Sequence, residues 1–243
     1  MLENLALLFE NWGAKNALDQ LEFLLDPSTL PFAIWETLYA PLAATILAYV
    51  IGLPLGILLV TGEEGGIHPL NKGLMRVLNT VINLLRSIPF LILMVMVFPL
   101  SRLILGTSIG TTATIIPLTV AAAPYVARLV EASLREMDRG VIEAAQSMGC
   151  STWQIITKVL LPECKPSLIN GATNATITIL GYGAMAGSIG GGGLGSMSLM
   201  RGHGRNQIIV LYVAVIILVV LVQIIQSIGT ALCVKTDKRI THK

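Results

Sequence analysis

Five long apolar segments, separated by polar stretches, constrain this chain more than any other feature. A helix needs roughly 20 apolar residues to cross a bilayer, because about 30 Å of hydrocarbon must be covered at about 1.5 Å per residue. With 54% hydrophobic and 12% charged residues, the chain is too apolar for an ordinary soluble domain. We therefore predict an all-α polytopic membrane protein with five transmembrane helices. The five segments are Thr37 to Val60, Val77 to Leu100, Ala113 to Val130, Leu168 to Ile189, and Ile208 to Val234.

The distribution of positive charge predicts the orientation, because Lys and Arg accumulate in cytoplasmic loops. With the N-terminus outside and the C-terminus inside, the other side of the membrane receives Lys15, Arg102, Arg201 and Arg205, and Arg86 lies within the second segment. The net charge of +2 gives no reason to expect a nucleic acid partner. The remaining eleven of the sixteen Lys and Arg residues then lie on the cytoplasmic side: Lys72, Arg76, Arg128, Arg135, Arg139, Lys158, Lys165, Lys235, Lys238, Arg239 and Lys243.

Residues 1–35 do not have the pattern of a cleaved signal peptide. Glu3 and Glu10 stand where a basic region is expected, and no continuous apolar core follows them. We expect this segment to be retained on the outer surface. Leu18, Leu21 and Leu25 alternate with acidic residues, which predicts an amphipathic helix that ends near Pro27 and packs against the first span.

The polar stretch from Glu143 to Pro162 is a helix-forming loop between two apolar segments. We expect Glu143 to lie near the positive end of a helix dipole and Gly149 to supply a left-handed cap at the end of that helix. Ser151 or Thr152 would cap a second short helix, which Pro162 ends or kinks. The apolar positions of the first helix are Val141, Ile142, Ala144, Ala145 and Met148. Two short helices that meet at a glycine corner fit a groove on a partner protein, whereas the alternative is a surface hairpin that only connects two spans.

Polar residues inside the second span indicate either a path for a solute through the membrane or polar contacts that hold neighbouring helices together. Asn79, Asn83, Arg86 and Ser87 recur at helical spacing, and a charge deep in lipid costs at least about 2.5 kcal/mol. Arg86 should therefore face the interior of the bundle, water or a carboxylate. The alternatives are that Arg86 binds loop carbonyls, or that the span begins only near Ile88.

The fourth span places small, polar and sulfur-containing side chains on one helical face. In membranes, small residues more often indicate close helix packing than ligand contact. Met185 is the residue of this face that favours ligand contact, since its polarizable thioether could lie against another apolar, sulfur-containing group. The face consists of Asn170, Asn174, Gly181, Met185 and Ser188.

The glycine run from Gly190 to Gly195 lacks the lysine and hydroxyl of a phosphate-binding loop, and we do not expect it to open a helix. A flexible outer gate, a docking surface for an external partner and a plain mobile loop all fit the run. The three cysteines, Cys150, Cys164 and Cys233, fall on the predicted cytoplasmic side, where thiols stay reduced. Neither a metal site nor a catalytic residue is predicted, and any ATP hydrolysis must take place on another chain.

The loop resembles the EAA loop of the permease subunits of ABC importers. In that pattern EAA is followed by three residues, Gly, nine residues, Ile, any residue, Leu and Pro, and this chain departs from it only with Val159 for Ile. Further patches are similar to the methionine branch of this family over nearly the whole membrane domain. They are NxxRSIPFxIL at residues 83–93, GTSIG at 106–110, PLT at 117–119, AAP at 122–124, AR at 127–128, VE at 130–131 and GGLG at 192–195.

The resemblance implies a type I ABC importer permease architecture in the cytoplasmic (inner) membrane of a prokaryote. Its partners would be a second copy of the chain, two ATP-binding subunits, an extracytoplasmic methionine-binding protein and membrane lipid. ATP and magnesium would be bound by the ATP-binding subunits, with no cofactor on this chain. The domain organisation expected is an outer N-terminal extension at 1–35, a permease domain at 36–234 with a coupling loop at 131–165, and a cytoplasmic tail at 235–243.

The resemblance also assigns roles to residues. Val141, Ile142, Glu143, Ala144, Ala145, Met148 and Gly149 would couple the permease to the ATP-binding subunits, with Glu143 at the start of the helix, the alanines in close packing and Gly149 at the turn. The translocation path would include Asn83, Arg86, Ser87, Asn174, Gly181, Met185 and Ser188.

Two alternatives stay open at the level of the sequence. A permease for another small solute, such as a polar amino acid or a phosphonate, would keep the same machinery and change only the cavity. A secondary transporter would need a coupling-ion site or inverted repeats, and the sequence offers no clear repeat and no acidic residue within the five predicted spans.

Overall fold

The computed structural model describes residues 2–11 and 16–237, and within these ranges the chain is helical without any strand. The predicted tail at 235–243 therefore lies mostly outside the described residues, as do Lys15, Lys238, Arg239 and Lys243 of the charge count. The α-helices are α1 (Leu2–Asn11), α2 (Ala17–Leu25), α3 (Leu30–Thr61), α4 (Lys72–Ser87), α5 (Phe90–Leu105), α6 (Thr111–Arg135), α7 (Arg139–Ser147), α8 (Thr152–Gln154), α9 (Leu161–Glu163), α10 (Lys165–Ala186), α11 (Gly193–Ser196) and α12 (Ile208–Thr236). Two π-helices, Ile155–Leu160 and Met197–His203, and a 3₁₀ helix, Gly187–Ile189, connect them.

Three of the described helices, α3, α6 and α12, are each long and apolar enough to cross a membrane. They contain the first, third and fifth predicted spans. The count rises to four if α4 and α5 together form one span. The fourth predicted span corresponds to α10 and the 3₁₀ helix after it, and α10 is less apolar than the other three.

The second predicted span, Val77 to Leu100, is not one continuous helix. The chain breaks between α4 and α5, and the two helices are bent by 109°. Ile88 is extended, with φ −78° and ψ 127°, because the ring of Pro89 disfavours a helical conformation in the residue before it. The other prolines of the predicted spans lie within α3, α5 and α6 and do not interrupt them. The polar residues at 79–87 thus belong to a helix of their own.

The described residues divide into two compact units. The first comprises residues 2–11, 16–44, 90–118 and 178–224, and the second comprises residues 45–89, 119–177 and 225–237.

In the first unit, the N-terminal helices pack against the start of α3 and the start of α12. Their buried residues include Ala6, Leu21 and Leu24, which share a core with Ala33 and Val210. The helix α1 was not predicted. The predicted amphipathic helix is α2, which ends at Leu25, but only part of its predicted apolar face is correct. Leu21 is buried, whereas Leu18 and Leu25 are exposed, and the other buried residues are Ala17, Gln20 and Leu24.

The glycine run in the first unit is a tightly packed helix start, which corrects the expectation that it opens no helix. Gly192 is the N-cap of α11, and the amide of Gly193 donates to a carboxylate oxygen of Glu36 over 2.8 Å. The other oxygen of Glu36 accepts from the Thr111 hydroxyl over 2.6 Å. A Cβ added at Gly192 would collide with both Glu36 and Thr111, so the run needs glycine for close approach.

In the second unit, α3 and α6 approach each other closely at glycine positions. A Cβ at Gly56 would lie 2.6 Å from Cβ of Val130, and one at Gly52 would lie 2.7 Å from a methyl carbon of Val126. Small residues allow this approach of two backbones, as in many membrane helix pairs. Leu59 and Ala127 from this pair form a small core with Met75 and Ile82 of α4.

Candidate functional site

The helix α7 forms the first arm of the predicted coupling loop, and its start differs from the prediction. Asp138 is the N-cap, and its carboxylate accepts a hydrogen bond from the amide of Gly140 over 2.8 Å. Glu143 is the fifth residue of α7, so it is not in the first turn, and the role predicted for it at the helix start is taken by Asp138.

The end of α7 agrees with the prediction. Gly149 has φ 77°, the left-handed conformation that glycine adopts without steric cost. Its amide donates to the carbonyl of Gln146 over 2.9 Å. The corner between the two arms could therefore be predicted from the sequence, because glycine at position 149 adopts the left-handed conformation without strain.

The second arm of the loop begins with a capping box at Ser151, which is one of the two predicted caps. The Ser151 hydroxyl accepts from the amide of Gln154, and the Gln154 side chain accepts from the amide of Ser151. The helix then widens into the π-helix Ile155–Leu160 directly before Pro162. A proline removes one backbone donor and crowds the preceding turn, which accounts for the wider turn at this point.

The predicted apolar set of α7 divides into two faces. Ala145 is buried and Ile142 is half-buried, whereas Val141, Ala144 and Met148 are exposed. The side chain of Met148 is 76% exposed, and Trp153 on the second arm is 72% exposed. Trp153 was not predicted as a coupling residue, although an aromatic residue in a polar loop was a visible signal. Exposed large apolar side chains on a polar loop are typical of a protein interface.

Three predicted path residues lie on α4 in the second unit. Asn83, Arg86 and Ser87 are exposed, and the Ser87 hydroxyl donates to the carbonyl of Leu84 over 2.8 Å. The carboxamide of Asn83 accepts from the guanidinium of Arg128 over 2.9 Å. The stripe predicted from spacing is thus present on a separate amphipathic helix, with its middle held by a residue of α6.

The remaining path residues follow α10 and the turn after it. In the second unit, Asn174 is exposed. In the first unit, Met185 is 48% exposed and accepts a hydrogen bond at its carbonyl from the Ser188 hydroxyl over 2.7 Å. A Cβ at Gly181 would meet no atom within 4 Å. The buried positions of α10 are others, such as Ala175 and Ile179, so within this chain the predicted face is not a packing face.

A network of charged side chains at the end of α6 was not predicted as part of the site. Glu131 is 8% exposed and pairs with Arg128 over 2.6 Å and with Arg135 over 2.9 Å. Arg135 also pairs with Glu63 over 2.6 Å. The signal in the sequence was the spacing Arg128, Glu131, Arg135, since residues three and four apart are neighbours on a helix surface.

Two acidic residues, each one position outside a predicted span, lie inside helices of membrane-spanning length. Glu36 is in α3 and Glu131 is in α6. Both were overlooked because the first span was predicted to begin at Thr37 and the third to end at Val130. Each carboxylate has partners on the chain, Thr111 and Gly193 for Glu36 and two arginines for Glu131. Such fully paired carboxylates serve as structural ties.

Similar proteins of known family confirm the resemblance seen in the sequence. The profile of the family "Binding-protein-dependent transport system inner membrane component" matches residues 52–235. A probable D-methionine transport system permease protein MetI of Vibrio cholerae is 48% identical over 89% of this chain and 96% of its own length. The corresponding protein of Haemophilus influenzae is 48% identical over 85% of this chain and 97% of its own length. The D-methionine transport system permease protein MetI of Escherichia coli is 49% identical over 63% of this chain and 70% of its own length.

Solved structures show the same fold. A chain from the inward-facing conformations of the MetNI methionine ABC transporter has a TM-score of 0.84 and 43% identity, covering 86% of this chain and 96% of that one. A chain of an amino acid ABC transporter crystallised with histidines has a TM-score of 0.67 at 19% identity, which supports the fold alone. On the match of the family profile and of these relatives, the chain belongs to the family of binding-protein-dependent transport system inner membrane components.

Proposed function

We propose that this chain is the transmembrane permease subunit of an ATP-driven methionine importer. The observation that carries the proposal is the near-complete match to methionine permeases in sequence and in fold. The chain is a transport subunit rather than an enzyme, and the chemistry that drives transport belongs to its partners. Its own residues shape the path and receive the conformational change.

Within the proposed coupling loop, residues 131–165, the part from Asp138 to Pro162 is the proposed contact with an ATP-binding subunit. It projects two short helices joined at Gly149, with Val141, Ala144, Met148 and Trp153 exposed along the projection. An apolar patch of this kind on a rigid corner suits a groove on an ATP-binding subunit. Glu143 is also exposed and would supply a polar contact at the edge of the patch.

The proposed assembly contains two copies of this chain, two ATP-binding subunits and an extracytoplasmic methionine-binding protein. ATP and magnesium are bound by the ATP-binding subunits. When these subunits close on ATP, the coupling loops move with them and the permease opens outward to accept methionine. After the products of hydrolysis are released, the permease returns to the state in which its path is open to the cytoplasm.

The proposed topology has five spans, with the N-terminus outside and the C-terminus inside the cytoplasmic membrane of a prokaryote. Residues 36–234 form the permease domain, residues 131–165 its coupling loop and residues 235–243 a cytoplasmic tail. Residues 1–35 form the outer extension. This arrangement follows from the positive charges around the coupling loop and is consistent with the family.

The proposed path uses the exposed polar and small residues of α4 and α10. Methionine is a zwitterion with an unbranched thioether tail, so its path needs a mostly apolar wall with few polar groups. On α4, Asn83, Arg86 and Ser87 supply the polar groups. On α10, Gly181 leaves open space and Met185 offers a polarizable thioether to the substrate tail.

Reconstitution tests the proposal directly. Vesicles that contain this chain, its ATP-binding subunit and its binding protein should accumulate labelled methionine only when ATP is available to the ATP-binding subunits. Proton and sodium gradients should have no effect. Accumulation of another solute under the same conditions would refute methionine as the substrate and keep the permease, whereas uptake driven by a gradient without ATP would refute both.

A further inference from the structure

The guanidinium of Arg128 lies between α4 and α6 in the second unit and joins the two helices. One of its terminal nitrogens, Nη2, donates to Asn79 over 2.8 Å and to Asn83 over 2.9 Å. The other, Nη1, donates to Glu131 over 2.6 Å. A planar guanidinium is suited to this task, because its donors point in fixed directions toward acceptors on different elements.

The contacts continue from Glu131 to the loop between α3 and α4. Glu131 accepts from Arg135 over 2.9 Å, and Arg135 pairs with Glu63 over 2.6 Å. The two guanidiniums and two carboxylates have no net charge, which lowers the cost of placing them in a partly buried position. Arg135 is the last residue of α6 and lies three residues before Asp138, the N-cap of α7. A continuous set of polar contacts therefore joins the start of the coupling loop to α4.

The apolar attachment of α4 is narrow. Only Met75 and Ile82 of this helix are buried, and they contact a core that includes Leu59 and Ala127. Such a narrow stripe restrains the rotation of α4 about its own axis less than a wide apolar face would. The bonds from Arg128 lie on the polar face beside the stripe, where Asn79, Asn83 and Arg86 are spaced four and three residues apart.

We propose that Arg128 is a positioning residue that fixes the rotation of α4 and transmits movement of the coupling loop to its polar face. The proposal rests on the function proposed above, in which the loop moves with an ATP-binding subunit and α4 borders the path. Arg128 does not touch the substrate. Through its bonds to α4, Arg128 makes the polar groups of α4 turn together with α6 when α6 moves.

The test measures methionine transported per ATP hydrolysed by the reconstituted complex. We expect Arg128→Gln to assemble and hydrolyse ATP while this ratio falls roughly tenfold, the scale set by losing hydrogen bonds to one charged group. The matched control is Arg76→Gln on the exposed surface of α4, which should keep the wild-type ratio. Asn79→Ala removes one acceptor and leaves both arginine pairs of Glu131 in place, and it should lower the ratio roughly threefold.

The double variant Arg128→Gln with Asn79→Ala should behave like Arg128→Gln alone, because both changes remove the same contact. An unchanged ratio in either single variant would overturn the proposal, and so would fully additive effects. If Arg128→Gln does not assemble, Asn79→Ala decides the question. Loss of assembly in both would assign the network a structural role only and would also overturn the proposal. A wild-type complex that does not transport methionine with ATP would instead refute the proposed function.

Discussion

The side chain of Gln20 caps the start of α12 from the other end of the chain. Its Oε1 accepts a hydrogen bond from the amide of Ile209 over 2.9 Å, and the residue is only 1% exposed. The first amides of a helix have no partner within the helix, so a buried helix start needs an acceptor from elsewhere. The N-terminal segment is therefore part of the folded structure around α12 rather than an addition to its surface.

This relationship predicts that Gln20→Leu destabilises the protein by about 1–3 kcal/mol, the cost of leaving a buried amide without an acceptor. The thermal midpoint of the purified protein in detergent should fall. The neighbouring exposed substitution Asp19→Asn is the control and should leave the midpoint unchanged. Equal midpoints for both variants would contradict the capping role of Gln20.

The close approach of α3 and α6 predicts that Gly56→Val destabilises the protein. An added Cβ would lie 2.6 Å from Cβ of Val130, so the helices must separate at a cost of about 1–3 kcal/mol. The control on the same helix is Leu47→Val, where the side chain is exposed. Thermal unfolding in detergent measures the midpoints of both variants. An unchanged midpoint for Gly56→Val would contradict the close packing of α3 against α6.

The left-handed corner of the coupling loop predicts that Gly149→Val abolishes transport while the protein stays in the membrane. A β-branched residue at φ 77° costs about 1–2 kcal/mol and would shift the angle between the two arms. Gly106→Val is a matched control, because Gly106 has φ 76° and also has nothing within 4 Å of an added Cβ. It bears the same strain away from the coupling loop and should still transport. Normal ATP-dependent uptake by Gly149→Val would contradict the coupling role.

The exposed patch on the coupling loop predicts that Met148→Ser and Trp153→Ser weaken binding of the ATP-binding subunit. Removing a large apolar side chain from the centre of an interface commonly costs about 2 kcal/mol or more, which is roughly a thirtyfold loss of affinity. Copurification from detergent with a titrated ATP-binding subunit measures the effect. Ile109→Ser is the control, since Ile109 is 74% exposed in another loop. Unchanged affinity in both loop variants would exclude the patch as the interface.

The cysteines test the proposed orientation. Cys150 is partly exposed on the coupling loop, whereas Cys164 is buried. An impermeant thiol reagent should not label this protein in intact cells. In inside-out vesicles the same reagent should label Cys150 before the other two cysteines. Labelling of Cys150 from outside the cell would reverse the topology and remove the basis for coupling at this loop.

Much of the coupling loop could be predicted from residue type and spacing. Gly149 and Ser151 act locally, through a backbone conformation and a hydrogen bond within one helical turn, so their roles do not depend on distant parts of the chain. The break before Pro89 also has a local cause, and a start of the apolar span near Ile88 was one of the alternatives that the sequence left open. The start of α7 was misplaced by a few residues because both Asp138 and Glu143 are acidic and only the structure shows which one caps.

The rest depended on contacts between residues far apart in sequence. Glu36 reaches Gly193, Gln20 reaches Ile209 and Arg128 reaches Asn79, and no local pattern encodes such pairs. The sequence by itself determined the helical membrane class, the corner of the coupling loop and the family, since hydrophobic length, glycine conformation and motif spacing are properties of short segments. Only the tertiary structure decided which face of each helix is buried and which charges are paired, because burial is a property of what packs against a helix.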